Sequence, residues 1–145
     1  MINLSRSERI PGNSEYGSVD PAPPTVSGDI DSWRKILLDE NERMFERMRV
    51  VFSLRNDRSS DAALILCEGF RAESALLRHE IAYVLGQMQN PIAVETLVDR
   101  LRDSNEHVMV RHEAAEALGA IGDRKAEPVL LEFLKDENPE VSESC

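Results

Sequence analysis

Cysteine is scarce in this sequence, with Cys67 inside a helical pattern and Cys145 at the last position. Two thiols so placed make no disulfide framework and no CxxC metal or redox motif, so reduced cysteines are expected. Long apolar runs are also missing. No stretch approaches the roughly 18 apolar residues of a membrane span, and the opening MINLSRSERI has no apolar signal core. The expectation is a cytoplasmic chain without membrane attachment. Positive charge is in deficit: 17 Lys and Arg face 27 Asp and Glu, and the net charge of −10 argues against nucleic acid or an anionic membrane as partner. A cationic partner suits it better. Aromatics are only 5% of the chain, so the apolar 41% is mostly Ala, Leu, Val and Ile, a helix-forming composition.

Catalytic signatures of the common kinds are absent too. There is no nucleophile elbow, no P-loop, no dinucleotide fingerprint, no HExxH and no Glu-x-x-His.

What is present divides the 145 residues in two. Residues 1–28 carry Pro11, Gly12, Gly17, Pro21, Pro23, Pro24 and Gly28 among Ser, Asn and Asp, and read as a disordered tail or linker. Residues 29–145 hold 15 basic and 24 acidic side chains, so the charge of this part is −9. Here short amphipathic segments of helical period fall near 30–39, 42–55, 60–70, 74–88, 92–102, 108–121 and 125–135, and none alternates with the period of a strand. The breaks are punctuated by Asn90-Pro91, Gly122-Asp123 and Asn138-Pro139. The expected fold is all-α.

The helices repeat. LRHEIAYVLGQM at 77–88 and VRHEAAEALGAI at 110–121 align at an offset of 33 with six of twelve residues identical. Ala93, Leu97, Leu101 and Asp103 then fall on Ala126, Leu130, Leu134 and Asp136. A weaker copy at an offset of 31 sets Val50, Ser53 and Leu54 on Ile81, Val84 and Leu85, with Met48-Arg49 in the place of His-Glu. Helix pairs at this interval stack into an α-solenoid, here about three repeats plus a truncated one. Gly86 and Gly119 inside helices are then expected where a neighbouring helix approaches closely. At the end, Val141 matches Val108 and Cys145 takes the slot of His112, so the sequence reads as cut within a helix start, with no capping helix after Pro139.

One duplicated pair carries chemistry: His79-Glu80 and His112-Glu113. Equivalent helices in a stack lie about 8–10 Å apart, within reach of imidazole and carboxylate side chains. Mixed nitrogen and oxygen donors of this kind suit Fe, Mn or Zn. Four donors are few for a two-metal centre but ample for half of one. The plainer reading is a solvent-facing pair copied by duplication. His107 has no counterpart in the other repeat and reads as a loop or surface residue.

Several runs resemble one known family. ALLRHEIAYVLGQMQNP at 75–91, MVRHEAAEALGAIGD at 109–123, ESC at 143–145, YGSVDPAPP at 16–24 and LLDENERMFERMRVVFSLRN at 37–56 are similar to deoxyhypusine hydroxylase, a HEAT-like repeat enzyme. The resemblance covers almost all of residues 16–145 and implies the C-terminal half, with residues 1–28 matching the linker between halves and residues 29–145 a HEAT-like repeat domain. In that family four His-Glu pairs, two per half, hold a non-haem diiron centre (Fe2+) that activates O2 to hydroxylate a deoxyhypusine side chain on translation initiation factor 5A. Carried over, His79 and His112 are iron ligands. Glu80 and Glu113 are the catalytic candidates, as ligands or as carboxylates beside the metal. Met48-Arg49 matches the family's repeat that lacks the pair. The implied partners are the deoxyhypusine form of the initiation factor 5A precursor and a missing N-terminal half, or a second copy, to complete the iron site. The alternatives are a non-catalytic HEAT-like scaffold that binds protein in its groove and, last, a phycobilin-lyase-like repeat protein.

Overall fold

The computed structural model describes residues 28–145. The expected tail over 1–28 lies outside the described residues but for Gly28. Among the described residues the regular elements are all helical: α1 (Ile30–Leu38), α2 (Met44–Asp57), α3 (Ser60–Glu68), α4 (Ala75–Met88), α5 (Val94–Arg102), α6 (Val108–Ile121), α7 (Glu127–Glu132) and α8 (Pro139–Ser142). Single 3-10 turns at Gly69–Arg71, Pro91–Ala93, Arg124–Ala126 and Phe133–Lys135 join or extend them. The described residues thus form three helix pairs and a shorter fourth, as the repeats imply. A HEAT-type solenoid results, with α4 packed between α2 and α6 in one row while α5 backs α6 and α1 backs α2.

Local chemistry sets the ends. The side chains of Asp29, Ser59 and Ser74 accept from the backbone N–H of Ser32, Ala62 and Leu77, capping α1, α3 and α4. His107 does the same for α6: its Nδ1 accepts from the Met109 N–H at 3.1 Å. At the other end α2, α4 and α6 stop on Arg58, Gln89 and Gly122, all left-handed with φ of 64°, 55° and 71°. Each closes its N–H onto a leucine carbonyl, of Leu54, Leu85 and Leu118. Only Gly122 adopts that conformation without a Cβ penalty.

The core follows the repeat register. Val50, Ser53 and Leu54 are buried in α2 just as Ile81, Val84 and Leu85 are in α4, which supports the weaker upstream copy. One pairing departs from register. Leu101 is fully buried, while Leu134 is 47% exposed, because the helix relaxes after Glu132 into the 3-10 turn Phe133–Lys135.

Three arginines at one repeat position bind the stack together. Arg47 donates to the Leu37 carbonyl at 2.8 and 2.9 Å and to Glu40. Arg111 repeats this with the Leu101 carbonyl at 2.9 Å and with Asp136. Arg78 donates to the carbonyls of Ala72 and Glu73 and forks onto Glu106 at 2.7 to 3.1 Å. The Arg47 and Arg111 guanidiniums each satisfy a buried carbonyl at a helix end, Arg78 satisfies two less buried turn carbonyls, and each arginine makes a charge-assisted pair with a carboxylate. Arg78 and Arg111 also tie one helix pair to the next.

The two in-helix glycines differ. A Cβ on Gly86 would lie 3.0 Å from Ala117 Cα, so α6 does approach closely there. Gly119 is the correction: a Cβ there meets nothing within 4 Å, since among the described residues no helix packs on that face of α6 as α6 packs on α4.

Candidate metal centre

His79 and Glu80 sit one turn into α4, and His112 and Glu113 sit one turn into α6. Because α4 and α6 pack side by side, the two duplicated pairs meet at their shared edge. The carboxylates are inside, with Glu80 at 1% and Glu113 at 8% exposure. The imidazoles are partly open. A buried carboxylate requires a compensating cation or hydrogen bonds, which marks this edge as chemically unusual within an apolar stack.

The imidazole of His79 bridges the pairs. Its Nδ1 is 3.4 Å from Glu80 Oε2, and its Nε2 is 3.6 Å from Glu113 Oε1. Glu113 Oε1 in turn lies 3.8 Å from His112 Nε2. So one carboxylate oxygen of Glu113 faces the Nε2 of both histidines. The Glu113 carboxylate first, and Glu80 second, raise the His79 pKa from 6.5 to about 9 against the opposing effect of burial. The position selects a cation, and a metal ligated there would displace that proton.

His112 is fixed from behind. Its Nδ1 is 3.1 Å from the carbonyl of Glu140 in α8 and also contacts the hydroxyl of Ser144. A ring that donates its Nδ1–H to a carbonyl leaves the Nε2 lone pair free, here toward Glu113. Sequence reasoning missed this backing. Glu140 and Ser144 lie 28 and 32 residues away, and the one available signal was the run ESC at 143–145.

Two imidazoles and two carboxylates meeting at one helix edge fit a non-haem metal by donor type. Among the described residues no three His, Cys, Asp or Glu side chains are gathered closely enough to hold an ion by themselves. His107, beyond capping α6, lines a shallow apolar hollow with Leu76, His79 and Met109. Cys67 and Cys145 are free thiols. Among the described residues no helix is long and apolar enough to cross a membrane.

Comparisons with known proteins agree with this architecture. Residues 77–103 match the family model for the PBS lyase HEAT-like repeat, and residues 104–145 match that for HEAT repeats. The chain is 52% identical over 99 residues to deoxyhypusine hydroxylase of Gallus gallus, covering 68% of this chain and 33% of that protein. It is 48% identical over 99 residues to the Homo sapiens enzyme, covering 68% and 33%. To that of Arabidopsis thaliana it is 50% identical over 97 residues, covering 66% and 31%. The solved structure of human deoxyhypusine hydroxylase in complex with glycerol superposes with a TM-score of 0.84 at 48% identity, over 88% of this chain and 44% of that one. The chain thus spans about a third of the length of these curated relatives. It is a HEAT-repeat relative of the deoxyhypusine hydroxylases and corresponds to their C-terminal part.

Proposed function

We propose that this chain supplies one half of a deoxyhypusine hydroxylase active site, with His79, Glu80, His112 and Glu113 contributing to a non-haem diiron centre. The observation that carries the reading is the Glu113 carboxylate facing the Nε2 of His79 and His112, at 3.6 and 3.8 Å, across two helices. Four donors from one chain supply part of a two-metal site, so the remainder comes from an N-terminal half or a second copy. Bound iron would supply the activation of O2 that hydroxylation of an unactivated carbon requires.

The chain's own residues do the rest. The Glu140 carbonyl holds the His112 ring so that Nε2 points inward, which removes the cost of orienting that ligand when metal arrives. Glu80 and Glu113 keep the edge anionic inside an apolar stack, attracting both the metal and the amine of a deoxyhypusine side chain. The partner in this reading is the deoxyhypusine form of the translation initiation factor 5A precursor, which sets the cytoplasm as the compartment.

Hydroxylation tests it. The chain combined with a separately expressed N-terminal half, iron and reductant should add one oxygen atom to a deoxyhypusine-bearing substrate, read by mass spectrometry. The chain alone as a monomer should add none. No product from the combined halves, each folded by circular dichroism, would refute the assignment.

A further inference from the structure

Beside the His-Glu edge, a cleft of about 530 Å³ runs along the α4–α6 groove, lined by Tyr83, Gln87, Glu113, Glu116 and Ala120, with Gly86 at its floor. Tyr83 and Glu116 hold the same repeat position on neighbouring helices, one turn beyond the two histidines. Glu113 belongs to both places. Its side chain is nine-tenths buried and faces the imidazoles of His79 and His112 at 3.6 and 3.8 Å. Among the described residues no lysine or arginine lines the cleft. Glu116 is exposed and makes no hydrogen bond or ion pair with the described residues, so its carboxylate is available to a ligand.

The opposite wall is set by a chain of bonds. The Arg55 guanidinium rests 4.8 Å over the Phe52 ring and donates to Gln87 Oε1 at 3.3 Å. That fixes the amide so that Gln87 Nε2 donates to the Tyr83 hydroxyl, also at 3.3 Å. Tyr83 keeps a second lone pair for an incoming donor. The cleft therefore offers acceptors, two carboxylates and a phenol oxygen, on an apolar floor made by Gly86 and Ala117.

We propose that this cleft is the subsite for the terminal ammonium of an alkyl diamine, with Glu116 as the specificity-determining residue. The inference rests on the proposed reaction, because the substrate side chain there is a diamine: a secondary amine and a terminal primary amine separated by four methylenes. Residues three apart on one helix face, as Glu113 and Glu116 are, stand about 5–6 Å apart at their Cβ atoms, a span comparable to that spacer. With the terminal ammonium at Glu116 and Tyr83, the intervening methylenes lie against the His-Glu edge. A monoamine engages only one of the two carboxylates.

The test is an NMR titration of the full chain with N-butylputrescine, a diamine with the same spacer, and n-butylamine as the monoamine. The expected result is saturable shifts at the amides of Tyr83, Gln87 and Glu116, stronger binding of the diamine than of the monoamine, and a loss of about threefold or more in Glu116→Gln. Glu127→Gln, a control on α7, should bind as wild type does. Absence of saturable shifts at these residues, or equal diamine affinity in Glu116→Gln and wild type, would overturn the subsite. Iron content of the chain combined with a separately expressed N-terminal half separates the two ideas. Diamine binding by a chain whose combined halves stay iron-free contradicts the metal reading and not the subsite, and iron uptake by the combined halves with no diamine response contradicts the subsite alone.

Discussion

Gly86 on α4 faces Ala117 on α6 so closely that a Cβ added to the glycine would lie 3.0 Å from the alanine Cα and 3.1 Å from its Cβ. Backbone atoms cannot step aside as a flexible side chain can, so Gly86→Ala forces the helices apart. It should cost about 1–3 kcal/mol, as overpacking does. Gly119→Ala, where nothing lies within 4 Å, should instead stabilise by up to about 1 kcal/mol through helix propensity. Urea unfolding of both variants checks the contrast in sign.

The arginine ladder gives a second expectation. Arg111 is buried against the Leu101 carbonyl and Asp136, and truncation removes the guanidinium from both, leaving Asp136 with the Asn138 N–H. Arg111→Ala should destabilise by about 3–5 kcal/mol, the range for breaking a buried pair. Arg111→Lys should recover only part, because an ammonium cannot fork between a carbonyl and a carboxylate in one plane. Thermal unfolding distinguishes the three proteins.

Glu106 supplies a pH dependence. Burial pushes its carboxyl up, but bonds from the Arg78 side chain, the His107 N–H and Arg100 outweigh it, and the pKa falls below the ordinary 4.5. A lowered carboxyl stabilises the fold above its unfolded value and loses that contribution as pH falls through the folded value. Wild type should therefore exceed Glu106→Gln by about 2 kcal/mol at neutral pH. The gap should close as pH drops below 4.5, when Glu106 becomes neutral like its replacement. Unfolding curves across that range decide it.

Much of the fold is legible in the sequence because its signals are local or periodic. The expected segments at 74–88 and 108–121 match Ala75–Met88 and Val108–Ile121 to within a residue, since Ser74 and His107 cap them and the offset of 33 repeats their apolar face. Boundaries drift where 3-10 turns intervene. The segment expected at 125–135 is an α-helix only over Glu127–Glu132, and the one at 92–102 starts in the turn Pro91–Ala93. The four donors of the candidate centre were found by duplication alone. The carbonyls gripped by Arg47 and Arg111, and the backing of His112 by Glu140 and Ser144, were not, because they join groups across turns with no composition signature. Gly119 misled for a related reason: a glycine repeats in sequence whether or not a neighbour occupies its face.

Iron content tests the central claim most directly. The chain, combined with a separately expressed N-terminal half and purified with iron supplied, should carry roughly one iron per chain, as expected for half of a two-metal site. His112→Ala should lose that iron while keeping its helical circular dichroism. Complexes that stay iron-free, or a His112→Ala protein that retains as much iron as wild type, would contradict the account.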